Sequence, residues 1–174
     1  PIPEKGTVLT SIANYWFQKT EHIIQNHLTG ISLEEVLSKD EAEMLAGRAI
    51  VVKKLRPLAL EAVVRGYLIG SGWKEYLSSG MVCGIPLPQN MKLAQQLLKP
   101  LYTPSSKADV GEHDANISFK ETEAIVGSAL ASQIKDVSLK IYQFAAEHAL
   151  NCGIIIADTK FEFGLDEDNQ LTLM

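Results

Sequence analysis

The sequence predicts an α+β fold in which a mainly antiparallel sheet is flanked by helices, and three stretches predict it. "TSIANYWFQKTEHIIQNHL" sets Ile12, Tyr15, Trp16, Ile23 and Ile24 at the spacing of an amphipathic helix. "RAIVVKKLRPLALEAVVRGYL" is dense in Val, Ile and Leu, as strands are. "IIIADTKFEFGL", a turn in "DEDNQ" and "LTLM" read as a closing hairpin.

Taken in order, the first helix is expected to end near Gly30. Capping boxes at Ser32 with Glu35 and at Asp40 with Glu43 then start two short helices, with Gly47 as a stop. From Arg48 the chain reads as two interior strands joined by a short connector broken at Pro57. Residues 70 to 118 are rich in Gly, Pro and Ser and predict a long irregular excursion with a short helix around Trp73 to Leu77. Ser118 with Glu121 opens a helix through about Leu130. Ile134, Val137, Ile141, Phe144 and Ala145 mark a second, ended by Gly153. The Ile154 to Ile156 run is expected to carry the next strand into a core.

A chain of 174 residues is long enough to bury such a core as one domain or two lobes. The formal net charge of −5 argues against a general nucleic-acid coat and leaves room for a local pocket for small anions. Cys83 and Cys152 are far apart and outside metal-ligand spacing, so neither a disulfide framework nor a zinc site is indicated, and a reducing cytosol is the natural compartment. No apolar run is long enough to cross a bilayer. The start, Pro1-Ile2-Pro3, lacks an initiator Met and a signal pattern, as in a trimmed or excised chain.

Four constellations carry candidate chemistry. Asp158, Lys160 and Glu162 occupy alternate positions of a strand and so share one face. Two carboxylates there suit a magnesium–nucleotide site, with Lys160 meeting phosphate oxygens; the same spacing also describes a solvated hairpin face on which Lys160 screens two acids. Arg65, followed by Gly70, Ser71 and Gly72, supplies an arginine fork, a hydroxyl and close backbone N–H groups for a phosphate, or else a tight turn beside a structural salt bridge. "YTPSSKADVGEHDANIS" brings Lys107, His113 and Asp114 into one loop, as an anion binder and an oriented proton carrier, or as an ordinary charged surface. "VVKKL" presents either an adenine-binding backbone edge or a plain strand with two surface lysines. His22, His27 and His148 lie in helical patterns and read as structural.

Together and in this order, "VVKKL", "EAVVRGYLIGSGWKEY", "CGIPLP", "TPSSKADVGEHDANIS" and "GIIIADTKFEFGLDE" resemble the SAICAR synthetase family of purine biosynthesis, over essentially the whole chain. The spacing of Pro57 and Glu61 departs from the family pattern, so the resemblance carries to Arg65 more firmly than to Glu61. It implies an ATP cleft between two lobes, with residues 1–55 as the remainder of an incomplete N-terminal ATP-binding lobe and connector, and 56–174 as the central substrate- and ATP-binding domain. It further implies a cytoplasmic, magnesium-using ligase that joins L-aspartate to carboxyaminoimidazole ribonucleotide through an acyl phosphate at the expense of ATP.

On this resemblance Lys53, Lys54 and Leu55 flank adenine, Arg65 and Ser71 hold the ribonucleotide phosphate, and Lys107, His113 and Asp114 form the substrate-side loop. Asp158 and Glu162 face the magnesium–phosphate region with the catalytic Lys160 beside them. Family members are longer, so the resemblance implies a central portion that alone turns over weakly or not at all, the alternative being a non-catalytic nucleotide-binding module. The implied partners are these small molecules, without nucleic acid or membrane. An exposed strand edge is a route to homo-oligomers.

Overall fold

Helix α1 (Lys5–Thr20) is the first element of the computed structural model, which describes residues 2–107 and 115–174. It stops well short of Gly30. The Thr20 hydroxyl bonds back to the Trp16 carbonyl at 2.7 Å, and Ile23 N–H closes a turn on Thr20 at 2.9 Å. The Ser32–Glu35 capping box forms but heads only a 3₁₀ turn, Leu33–Glu35. Helix α2 (Lys39–Leu45) is capped by Ser38 with Glu41, not by Asp40 with Glu43. Ser38 immediately precedes the first helical residue, where its N–H and hydroxyl both reach Glu41 Oε2, at 3.0 and 2.6 Å; Asp40 already lies inside the turn.

Between Arg48 and Leu68 one full strand forms where two were expected. Residues 51–55 make an isolated bridge, Val52 to Leu28, with Lys53 N–H on the His27 carbonyl at 2.8 Å and the Val51 carbonyl accepting from the Thr29 hydroxyl at 2.7 Å. Strand β1 is only Arg56–Pro57, whereas β2 (Leu60–Tyr67) is buried almost throughout. Helix α3 (Gly70–Ser79) is longer than the short helix expected there. A hairpin of β3 (Met81–Val82) and β4 (Ile85–Pro86) follows. Cys83 and Gly84 at its tip have φ of 50° and 76°, the positive pair that a two-residue turn between right-twisted strands requires.

The remaining elements are β5 (Gln96–Tyr102), β6 (Ser105–Ser106), β7 (Ala115–Asn116), α4 (Phe119–Val126), α5 (Ser128–Asn151), β8 (Asp158–Phe161), β9 (Phe163–Leu165) and β10 (Leu171–Leu173). The Ser118–Glu121 box caps α4, but Gly127, at φ 86°, breaks the chain before Leu130 and α5 starts at once. The Ile154–Ile156 run is not a strand. Gly153, at φ 77°, turns the chain out of α5 and leaves Ile154 and Ile155 60 and 61% exposed, so the strand begins at Asp158.

The chain forms two compact units, Pro1–Arg56 with Leu165–Met174, and Pro57–Gly164. In the first, the final strand pairs near the end of α1: His27 N–H meets the Leu173 carbonyl and Leu173 N–H the Gln25 carbonyl, each at 3.0 Å. In the second, an antiparallel sheet runs β5-β2-β6-β7, with β8 also paired to β2. Alternation along β2 sends Leu60, Ala62 and Val64 to one face and Glu61, Val63 and Arg65 to the other. Ile134, Ile141, Tyr142 and Ala145 of α5 and Phe163 are buried apolar residues of the same unit. Gly66 of β2 touches α5 directly: a Cβ there would lie 1.9 Å from the Tyr142 hydroxyl, which donates to the Ile156 carbonyl at 2.7 Å.

A second cluster joins Leu68, Tyr76, Val82, Cys83 and Leu97. Burial, reinforced by the nearby Glu75 charge, pushes the Cys83 thiol up to about 12, so the fold favours the neutral thiol. The stabilisation that follows is complete below the ordinary thiol value near 9 and is lost as pH rises towards 12. Iodoacetamide at pH 8 is therefore expected to modify exposed Cys152 alone in the native protein, and both cysteines after unfolding. Native labelling of Cys83, read by peptide mass, would contradict this burial. Among the described residues no helix is long and apolar enough to cross a membrane.

Candidate functional site

The polar face of the second unit's sheet gathers its charges by register. On β2 and β8, Arg65 lies opposite Asp158 and Val63 opposite Lys160, so these side chains emerge on one side. Glu61 lies opposite Ser105 of β6, and Ser105 opposite Asn116 of β7. Helix α3 begins beside this face. The result is a cavity of about 720 Å³ lined by Arg65, Ser71, Lys74, Asn116, Asp158 and Lys160, among others.

Arg65 is the hub. Its residue is 5% exposed, and every guanidinium nitrogen has a protein acceptor: Nε to the Thr103 hydroxyl at 3.1 Å, Nη2 to the Ser71 hydroxyl at 2.8 Å, and Nη1 to both Asp158 Oδ2 and the Ile69 carbonyl at 3.3 Å. Gly72 permits this approach, since a Cβ there would lie 3.0 Å from Nε. The geometry contains the structural salt bridge of the plainer reading and also brings Arg65 and Ser71 to the cavity wall.

The other two strand charges are paired as well, though not with each other. Lys160 pairs with Glu61, whose Oε2 also accepts from the Ser105 hydroxyl at 3.2 Å. Glu162 pairs with Lys107 at 2.5 Å. Asp158 and Lys160 line the cavity, whereas Glu162 and Lys107 are not among its lining residues. His113 and Asp114 lie outside the described residues. Lys53 and Lys54, exposed, and Leu55, half-buried, stand in the first unit.

Carboxylate oxygens suit magnesium, which takes one or two carboxylates and completes its shell with water and phosphate. Asp158 and Glu162 fit that chemistry, with side chains 40 and 44% exposed and one hydrogen-bonded oxygen each. Among the described residues no group of three or more His, Cys, Asp or Glu gathers around one point.

Sequence reasoning missed Lys74, Glu75 and Asn116. Asn116 Nδ2 donates to Glu75 Oε2 at 2.7 Å, and Glu75 Oε1 accepts from Cys83 N–H at 2.8 Å. The signal was available for Lys74 and Glu75, which follow Ser71 at helical spacing, but only if "GSG" is read as the start of a helix.

The SAICAR synthetase family model matches residues 1–174. The chain is 59% identical over its full length to phosphoribosylaminoimidazole-succinocarboxamide synthase of Cupriavidus necator and 56% identical to that of Chromobacterium violaceum, covering 58 and 61% of those proteins. Its backbone is similar to the SAICAR-synthase from Saccharomyces cerevisiae complexed with SAICAR, with a TM-score of 0.88 and 37% identity, spanning 99% of this chain and 59% of that one. A SAICAR synthetase in complex with ADP aligns with a TM-score of 0.76 at 25% identity, over 99% of this chain and 63% of that one. The chain thus spans about three-fifths of the relatives it matches.

Proposed function

The chain belongs to the SAICAR synthetase family, and on that premise we propose that it is the central part of an ATP-dependent ligase of purine biosynthesis. The reaction joins the amine of L-aspartate to the carboxylate of carboxyaminoimidazole ribonucleotide through an acyl phosphate. A carboxylate is a poor acceptor for an amine, so a phosphoryl group must first make its oxygen a leaving group. The observation that carries this reading is the convergence of Arg65, Ser71, Asp158 and Lys160 on one cavity.

The residues divide the work by chemistry. Ser71 stands in the first turn of α3, where backbone N–H groups point outward and favour an anion; Arg65 orients its hydroxyl, and together they take the ribonucleotide phosphate. Lys160, leaving Glu61, offsets charge on the phosphoryl group during transfer. Asp158 and Glu162 would hold magnesium, which supplies further charge neutralisation on the phosphates. Lys53, Lys54 and Leu55 take the adenine, as the remainder of an N-terminal ATP-binding lobe at 1–55, while the substrate- and ATP-binding domain assigned to 56–174 has Pro57–Gly164 as its compact body. Lys107, His113 and Asp114 belong to the substrate side.

Product formation that needs ATP, L-aspartate and the carboxylated ribonucleotide together supports this reading. In the full-length gene product, Lys160→Met is expected to lower kcat at least about tenfold with a smaller change in ribonucleotide KM, because the charge it meets develops during transfer. An unchanged kcat would remove Lys160 from the reaction. The span of only 58% of the Cupriavidus relative favours a second reading for the chain in isolation, a nucleotide-binding module without turnover. ATP-dependent thermal stabilisation with no product would support it. Repeated turnover to a stable phosphorylated product in the absence of aspartate would favour a kinase-like activity instead, since a single transfer that makes the acyl phosphate belongs to the ligase itself.

A further inference from the structure

Asn116 and Glu75 are linked in a way that fixes which end of an amide faces the cavity. An ionised carboxylate accepts hydrogen bonds and donates none. Glu75 accepts from Cys83 N–H at 2.8 Å through one oxygen and from Asn116 Nδ2 at 2.7 Å through the other. The amide nitrogen of Asn116 is therefore committed to Glu75. Asn116 itself lines the cavity, and its carbonyl Oδ1 has no hydrogen-bond partner among the described residues.

The rest of that wall is dominated by donors. Arg65, Lys74 and Lys160 are cationic and attract phosphate and carboxylate groups, and Asp158, which accepts from Arg65 through Oδ2, is assigned to magnesium by the ligase reading. None of those three cations can receive a hydrogen bond from an amine, whereas a neutral carbonyl held in place by a carboxylate can. It also does so without taking the amine's proton, so the nitrogen is oriented and stays available for attack.

We propose that Asn116, oriented by Glu75, accepts a hydrogen bond from the amino group of the amino-acid substrate and so selects an amine at this position. Glu75 is a positioning residue that touches no substrate. The inference rests on the ligase reading and adds to it the group that recognises the nucleophile.

The test is a charge-and-amide exchange in the full-length gene product, with KM measured for L-aspartate, ATP and the ribonucleotide. In Glu75→Gln, the new side chain must still accept from Cys83 N–H, so its NH₂ group faces residue 116 and forces the Asn116 amide to turn over. That places an NH₂ group in the cavity, and the aspartate KM is expected to rise about tenfold, the order of one unmade hydrogen bond, with the other two KM values within about twofold. Inhibition by succinate, which has the two carboxylates and no amine, should not weaken.

Adding Asn116→Asp to Glu75→Gln restores an acceptor at the cavity and is expected to bring the aspartate KM back to within about threefold of the starting value. Asn116→Leu, which lacks both ends of the amide, should behave as Glu75→Gln does and serves if that variant does not fold. A normal aspartate KM in Glu75→Gln, a double variant no better than the single, or an equal loss of aspartate and succinate would each overturn the proposal. An unsubstituted protein that forms no product under these conditions would overturn the ligase reading itself.

Discussion

Replacing Arg65 with alanine is expected to cost the fold about 3 kcal/mol, near the lower end for breaking a buried ion pair, because Asp158 is partly exposed and can rehydrate. Four acceptors lose their donor together: the Thr103 and Ser71 hydroxyls, the Ile69 carbonyl and Asp158. For a chain of this length the loss corresponds to a fall in Tm of about 6–12 °C. Arg65→Lys should recover only part of it, since an ammonium cannot span the fork from Thr103 to Ser71. A melt shifted by less than about 2 °C would mean that the network adds little to stability, and Arg65 would then act mainly on its ligand. Ribonucleotide binding should be measured well below the variant's own melting temperature, so that unfolding does not pass for lost affinity.

Gly66→Ala should be comparably damaging for a different reason. The added carbon would sit 1.9 Å from the Tyr142 hydroxyl and 2.7 Å from the ring carbon that carries it, and Tyr142 is 3% exposed. The ring has to move, which breaks its bond to the Ile156 carbonyl as well as the packing of α5 on β2. Overpacking and a lost buried hydrogen bond together predict about 3 kcal/mol. A double-mutant cycle separates this from any backbone effect. Tyr142→Ala alone should cost about 3–5 kcal/mol but markedly less when Gly66→Ala is already present, because the clash partner is gone. Additive costs in urea titrations would place the damage in the β2 backbone instead.

Local signals were legible where the chain answers to itself. The Ser118–Glu121 and Ser32–Glu35 boxes need only residues three apart, and both form. The period-two pattern put Asp158 and Lys160 on a common side, where both line one cavity. Their partners could not be read this way. Lys160 finds Glu61 and Asp158 finds Arg65 through strand register, which depends on a pairing between segments almost a hundred residues apart. The triple isoleucine misled for a related reason: apolar character promises burial only where another surface arrives, and Gly153 directs this run away from one. Asn116 was invisible because a lone amide is uninformative until Glu75 stands beside it.

The non-contiguous first unit fixes an order of events during translation. Its N-terminal part is made first, yet Gln25 and His27 wait for Leu173, which leaves the ribosome only after residues 57–164 have been added. At roughly 5–20 residues per second, the stretch from His27 to Leu173 takes about 7–30 s to make. The contiguous unit can condense meanwhile, so chains ending near residue 164 and held clear of the ribosome's exit tunnel by a flexible C-terminal linker should already protect β2 and α5 from protease while α1 remains open to cleavage.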